Sequence, residues 1–271
     1  NFGVEMFFRT FIELANEPQP RQTTDGNVEP KSDAFSGFIF KIQANMNPAH
    51  RDRLAFLRIC SGVFERGMSV KVSRTDKAIK LTQSQQFLAS DRETVEHAYP
   101  GDIIGIYDPG VYQIGDSLYS GNQQVEFDEI PTFAPELFVK VTAKNVMKGK
   151  QFGKGITQLV QEGAIQLYRQ YGTDDYILGA VGQLQLDVFE YRMKGEYNVE
   201  VVYQMIGSKI PRWLEDQNVD TNLFDSRNML VKDRDGNYVA LFDNDFSLRW
   251  FQDKNPKIKL IDIMAQDEPE Y

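Results

Sequence analysis

The period of the hydrophobic pattern changes along the chain. Over residues 4–15, Val4, Phe7, Phe8, Phe11, Ile12 and Ala15 fall on one stripe at helical spacing, with Glu5, Arg9 and Glu13 on other faces. The spacing predicts a helix that ends before Pro18 and Pro20, because a residue preceding proline is pushed out of the α region. Residues 21–33 are polar and broken by Asp25-Gly26 and Pro30, which reads as a linker or mobile loop.

From residue 34 to about residue 120 the period is two. Phe38, Phe40 and Ile42 alternate with Ile39 and Lys41. Leu54, Phe56 and Ile59 follow, then Val70 with Val72, Ile79 with Leu81, Ile104 with Ile106, and a last run over 114–119. Turn signals separate these runs at Asn47-Pro48, Arg66-Gly67, Thr75-Asp76, Pro100-Gly101 and Asp108-Pro109-Gly110. Short strands at this spacing, with no helical pattern between them, predict a small antiparallel β-barrel. Closing such a sheet removes its exposed edges.

Residues 131–135, with a proline at each end, mark a domain boundary. Beyond it Leu137, Val139 and Val141 alternate as a strand, and Phe152, Ile156, Leu159, Val160 and Ala164 sit at helical spacing. Ile165, Leu167 and Tyr168 begin a strand, and 177–181 form the next after a turn at Gly172 and Asp174-Asp175. Leu184, Val188 and Tyr191 make a helical stripe, and Val199, Val201 and Tyr203 a further strand. The order β-α-β-β-α-β is the ferredoxin-like, split βαβ arrangement. In 211–263, two strands flank Asp235-Gly236, a hairpin signal, followed by a short helix at 247–252 and a last strand at 258–263. The expected division is 1–33 helix and linker, 34–132 β-barrel domain, and 133–271 α/β C-terminal domain.

Composition narrows the picture. A chain of 271 residues has room for two cores, and 41% hydrophobic with 25% charged residues is ordinary for a folded protein. Cys60 is the one cysteine, so no disulfide forms within the chain; in a strand it acts as a small buried hydrophobe. No run approaches the ~20 apolar residues that span a bilayer, and no secretory signal is visible, so cytoplasm is expected and no membrane partner. The start at Asn1, without an initiator Met, suggests an internal start, although processing would also explain it.

The net charge of −9 argues against a protein that coats nucleic acid by overall attraction. Residues 137–161, however, hold no acid and carry Lys140, Lys144, Lys148, Lys150 and Lys154. A second basic cluster runs through His50, Arg51, Arg53 and Arg58. Each run could be a plain solvated face. Two basic islands on an acidic protein also suit selective docking on a phosphate-rich surface. The candidate ribosome or RNA contacts are His50, Arg51, Arg53, Lys144, Lys148, Lys150 and Lys154.

Chemistry of the usual kinds is missing. Gly149-Lys-Gln-Phe-Gly153-Lys154-Gly155 is the nearest approach to a phosphate loop. A Walker A loop needs four residues between its glycines and Ser or Thr after the lysine; here three intervene and Gly155 follows. A helix start whose free N–H groups could meet an anion is the better reading. His50, His97 and Cys60 cannot assemble a zinc site, and Asp233-Arg-Asp235-Gly236 places its glycine too early for a calcium loop. No catalytic, cofactor or metal site is expected in this chain.

Several longer strings carry a resemblance. Phe38-Ile-Phe-Lys-Ile-Gln followed by Arg53-Leu-Ala-Phe-Leu-Arg58, Tyr99-Pro-Gly-Asp-Ile-Ile-Gly105 and Gln113-Ile-Gly-Asp116 resemble the second domain of the translational GTPases. The inserted stretch from Gln43 to Arg53 is similar to the release factor 3 branch of that family. Phe133-Ala-Pro-Glu-Leu-Phe138, Glu162-Gly-Ala164, Gly179-Ala-Val-Gly-Gln-Leu-Gln-Leu-Asp187 and Glu196-Tyr-Asn-Val-Glu-Val201 extend the likeness through the second half. Residues 221–250 match less closely.

The resemblance implies a GTP-binding domain before Asn1, with GTP or GDP and Mg bound there and no cofactor here. The intact factor would use GTP to dissociate class I release factors from the ribosome after peptide release. Its partners would be small-subunit rRNA and protein, its own GTPase domain and, indirectly on the ribosome, class I release factors. By analogy the barrel faces small-subunit RNA and the α/β domain sits near a small-subunit protein. Val4, Phe7, Phe8, Phe11 and Ile12 would then face the GTPase domain. An elongation factor G-like protein, or a stand-alone RNA- or protein-binding module, are the alternatives.

Overall fold

The computed structural model describes residues 2–44, 53–82, 84–88, 91–128, 130, 133–225 and 227–262. The chain divides into two compact units, Asn1–Ile130 and Pro131–Tyr271.

The first unit opens with helix α1 (Val4–Leu14) and the strands β1 (Arg21–Thr23) and β2 (Gly26–Val28). It continues with β3 (Ser36–Ala44), β4 (Arg53–Ser61), β5 (Phe64–Glu65), β6 (Ser69–Val72), β7 (Lys77–Lys80), β8 (Ser84–Leu88), β9 (Asp91–Thr94), β10 (His97–Ala98), β11 (Ile103–Tyr107) and β12 (Ser117–Tyr119). Eight of these form an antiparallel sheet in the order β7-β6-β12-β3-β4-β11-β8-β9, and β5 pairs with β10. That short ladder joins the segment entering β6 to the segment leaving β9, so the sheet wraps one core. Ile39, Ile42, Leu57, Ile59, Phe64, Val72, Ile104, Ile106 and Leu118 fill it.

Strict alternation fails at two points of the β3–β4 ladder, the first of them between Ser36 and Gly37. The register shifts again between Ile39 and Lys41, and the extra residue of this bulge lets Ile39 and Ile42 both face the core. Phe38, which alternation places beside Ile42, turns to a second cluster with Cys60 and Phe127. In β4 it is Ala55 and Leu57 that join Ile59 in this cluster; Leu54 is buried apart from it and Phe56 is half-buried. Burial pushes the Cys60 thiol up to about 11.

The polar segment 21–33 is not a free linker. β1 and β2 form a hairpin, the Thr24 N–H donates to the Glu126 carbonyl at 3.1 Å, and Val28 packs on the Phe38 cluster. The Arg21 guanidinium lies 3.9 Å over the Phe38 ring, a cation–π contact. Gly62 fixes the turn after β4 at φ +65°; a Cβ there would stand 2.7 Å from the Phe35 backbone.

The second unit runs β13 (Leu137–Ala143), α2 (Gly149–Gln161), β14 (Gln166–Gln170), β15 (Tyr176–Ala180), α3 (Gln183–Tyr197) and β16 (Val201–Ile206). Then come β17 (Ile210–Leu214), β18 (Asn228–Lys232), β19 (Tyr238–Phe242), α4 (Asp245–Lys254) and β20 (Leu260–Ile261). The sheet order β16-β13-β15-β14 is fourth, first, third, second, the ferredoxin-like order, and β18-β19-β17-β20 extends it beyond β14.

Both faces of this sheet are covered. Val139, Val141 and Leu178 pack against Phe152, Ile156 and Leu159 of α2 and Leu186, Phe189 and Met193 of α3. On the other face Phe138, Tyr168 and Ile177 share a core with Trp213, Val231, Val239 and Leu241. α4 packs Leu248 and Phe251 on Leu230, Ala240 and Phe242, and its capping box on Asn244 and Ser247 starts it two residues earlier than expected. The expected stripe of α3 proves to be its solvent face: Leu184, Val188 and Tyr191 are exposed, while Leu186, Phe189 and Met193 are buried.

α2 and α3 approach closely at Gly155. A Cβ there would come within 2.6 Å of the Met193 sulfur and 3.0 Å of Tyr197 Cγ. Met193 is fully buried, so its chain has little room to give. Gly155→Val should therefore destabilise the chain by about 1–3 kcal/mol through overpacking, despite the better helix propensity of valine. The shift of the urea unfolding midpoint measures it.

Candidate functional site

β13 leaves the sheet at Ala143 and ends at a lysine-bearing turn. The Asn145 side chain accepts the Met147 N–H at 3.0 Å and starts one 3-10 turn, Val146–Lys148, that runs directly into α2. No side chain caps α2; its Gly149 N–H is taken by the Val146 carbonyl of the 3-10 turn, and the helix dipole favours negative charge at this end.

The end of β13, the start of α2, the end of α3 and the start of β16 meet here. Lys144 donates its backbone N–H to the Glu200 carbonyl at 2.9 Å, and its Nζ lies 2.9 Å from Glu200 Oε2. The Lys194 ammonium stands 3.7 Å from the other Glu200 oxygen. Lys148 Nζ donates to the Asn198 carbonyl. Hydrogen bonding to Lys144, helped by the charge of Lys194, holds the Glu200 carboxyl below the usual carboxylate range. Lys150 and Lys154 stand one turn apart on α2, both exposed and with no carboxylate partner among the described residues.

The remaining lysine of the acid-free run is used elsewhere. Lys140 alternates onto the face of Phe138 and pairs with Asp175 at 2.6 Å. That hydrogen bond, with one from Thr173, lowers the Asp175 carboxyl.

The second basic island does not assemble in the same way. His50 and Arg51 lie outside the described residues. Arg53 is turned inward: its Nε sits 2.5 Å from Asp108 Oδ2, with the two side chains only 11% and 0% exposed. Asp108 also accepts the Gly110 and Val111 N–H groups at 2.8 and 3.0 Å. A guanidinium held in this way ties β4 to the 108–112 turn and is not free to meet a phosphate, which corrects its place among the candidate contacts.

α1 presents a different surface. Val4, Phe7, Phe8, Phe11 and Ile12 are all exposed, and no residue of the helix is buried. The structure also shows what charge patterning could not: Val146 and Met147, on the crown of the lysine turn, are 88% and 90% exposed.

The glycine-rich segment does not suit a nucleotide. Gly149–Gln161 is helix from its first glycine, not a strand-to-helix loop, and Gly155 is small because α3 packs on it. Asp233 likewise closes its own hairpin, accepting the Asp235 and Asn237 N–H groups and the Trp213 indole N–H.

Comparison with known proteins agrees with this architecture. Residues 34–121 match the family model described as elongation factor G domain 2. Residues 127–252 match the model described as class II release factor RF3, C-terminal domain. A solved structure from Thermus thermophilus superposes with a TM-score of 0.59 at 20% identity, covering 85% of this chain and 34% of that one, which shows the fold alone. The class is that of the barrel and α/β modules of the translational GTPases.

Within that class, the chain belongs to the peptide chain release factor 3 family. It is 57% identical over 264 residues to peptide chain release factor 3 of Listeria welshimeri, covering 97% of this chain and 51% of that protein. It is 58% identical over 265 residues to the factors of Enterococcus faecalis and Streptococcus agalactiae, again with 97% of this chain and with 51% and 52% of theirs. The chain thus spans about half the length of these relatives.

The Lys140–Asp175 pair has a pH signature. A carboxyl whose folded pKa lies below its ordinary 3.8 adds stability above that value and loses it as pH falls through the folded one. Lys140→Met should flatten the part of the acid limb that Asp175 supplies. Urea midpoints at neutral pH and below pH 3.8 should differ less in the variant than in the parent chain.

Proposed function

We propose that this chain is the ribosome-docking part of a translation termination factor that, when intact, uses GTP to dissociate class I release factors after peptide release. Membership of the release factor 3 family supports the reading, and the lysine-bearing end of the second unit is the observation that carries it. Lys144, Lys148, Lys150 and Lys154 gather on a protein whose net charge is −9. Such a patch attracts phosphate locally while the remaining surface repels it, which confines binding to one orientation.

α1 fits the same reading as a surface for the GTP-binding domain. Each of Val4, Phe7, Phe8, Phe11 and Ile12 would contribute roughly 1.5–3 kcal/mol on full burial, so a partner that covers the stripe gains much. Cytoplasmic location follows from a ribosomal role; no helix among the described residues is long and apolar enough to cross a membrane.

The chain should cosediment with the small ribosomal subunit, with an affinity that falls as salt rises. Lys150→Ala with Lys154→Ala should make the slope of log affinity against log salt shallower by about 0.9 for each phosphate that is no longer neutralised. Binding that ignores salt would count against the lysine surface. For α1, amide exchange over residues 4–15 should be fast in this chain and slow in the intact factor. Equal rates would remove the helix from the GTPase interface.

A further inference from the structure

The turn between β13 and α2 carries two features that a solvated lysine face does not explain. Its crown is apolar and uncovered, with Val146 at 88% and Met147 at 90% exposure. It is also held in shape. Asn145 anchors the turn from both sides, its side chain accepting the Met147 N–H at 3.0 Å and its carbonyl the Lys148 N–H at 3.0 Å. Lys148 ties the turn to Asn198 beyond α3, and Lys144 ties it to Glu200. A pre-shaped apolar tip needs no ordering on contact, which removes one cost of binding.

Charge around the tip selects the partner. Lys144, Lys148, Lys150, Lys154 and Lys194 bring five ammonium groups to this end against one carboxylate, Glu200, which Lys144 and Lys194 share. Nearby, Glu196 is paired with Arg192, which Glu162 shares. A surface of this sign disfavours a basic protein and suits phosphates. Single-stranded RNA is recognised by successive aromatic platforms; here Phe152 and Tyr197 face the helix-side core, and Tyr191, one turn before Lys194 on α3, is exposed but removed in sequence from the turn's crown. A-form RNA presents instead a wide, shallow minor groove lined by riboses, with phosphates on both rims, and methionine is among the side chains that enter minor grooves.

We propose that the turn 144–150 is a docking tip for duplex RNA, a reading that deepens, and rests on, the ribosome-docking function above. Val146 and Met147 lie on the ribose edges of the minor groove, and Lys150, Lys154, Lys148 and Lys144 meet the phosphates beside it.

The test uses the whole chain, an RNA hairpin of about 16 base pairs, a single strand of equal length, and the small ribosomal subunit. Anisotropy should show tighter binding to the hairpin than to the single strand. Val146→Asp with Met147→Asp, both on the surface, should lower hairpin affinity by about tenfold while the far-UV spectrum is unchanged. Lys150→Ala with Lys154→Ala should reduce the salt slope instead. Hairpin binding that is indifferent to the tip variant, or equal affinity for the single strand, overturns the proposal. Should the chain ignore both RNAs yet lose subunit binding through the tip variant, the tip meets a ribosomal protein; the RNA assignment then fails and the docking function stands. Tip-dependent hairpin binding without subunit binding is the reverse case, sustaining the tip and rejecting the docking function.

Discussion

Strand β13 is the constraint on which the second unit is built. It is paired on both sides, with β15 and β16, and packed on both faces. Val139 and Val141 enter the core under α2 and α3, while Phe138 enters the core shared with β17, β18 and β19. A strand so enclosed cannot slip its register, because a one-residue shift would exchange its two faces. Its exit at Ala143 is therefore fixed, and so is the turn that follows. Gly155 completes the placement by letting α2 lie close on Met193 and Tyr197 of α3. The lysine surface is a loop held by a core.

Charge in the first unit obeys the opposite logic. Arg53 and Arg74 are spent on Asp108 and Asp116, whose side chains are 0% and 2% exposed. Arg74 reaches both oxygens of Asp116 at 2.7 and 2.9 Å, a bidentate pair. Such pairs gain little net stability over apolar packing, but leaving one partner buried alone costs about 3–5 kcal/mol. They hold the 108–116 loop against the barrel, and a basic residue in this setting is structural. The lysines of the 144–154 run have the other balance. Their carboxylates are few and exposed, so attraction to a phosphate partner faces little competition.

Much of the fold was legible because each segment had one consistent period. The alternation of 34–120 and the β-α-β-β-α-β succession could be read directly, and the release factor 3 likeness lay in the same strings. What was not legible has particular causes. The β3 bulge changes which of Ile39 and Phe38 is inside, and nothing in the composition of 36–44 announces it. α3 is apolar on two faces, so Leu184, Val188 and Tyr191 fit helical spacing as well as Leu186, Phe189 and Met193; only the sheet beneath decides. β17 is masked in sequence by Pro211, because proline cannot donate to a ladder. It is tolerated because β20 pairs only with Trp213 and Leu214, so no ladder bond from Pro211 is missed on that side. Of the basic residues, sequence showed where the charge was but not which groups were already used. Lys150 and Lys154 are free of carboxylates among the described residues, and Arg53 is not.

The same balance of used and unused groups bears on what the chain is for. Its glycines and lysines at 149–155 look like fragments of nucleotide chemistry, yet Gly155 serves helix packing and the lysines face solvent. Among the large apolar side chains that stand uncovered, three groups lie along α1, along the outer face of α3, and at Val146 with Met147. A surface helix normally turns polar residues outward, and contiguous apolar exposure marks a surface that is covered in use. The three differ in their surroundings, and that difference matters more than their shared greasiness. α1 has a broad aromatic stripe fit for a protein face, and the α3 stripe is flanked by Asp187 and Glu190, which would repel phosphate. The Val146–Met147 crown is flanked instead by ammonium groups. Electrostatics therefore distinguishes these surfaces: an aromatic or acid-flanked stripe suits a protein face, and an apolar crown among ammonium groups suits phosphate.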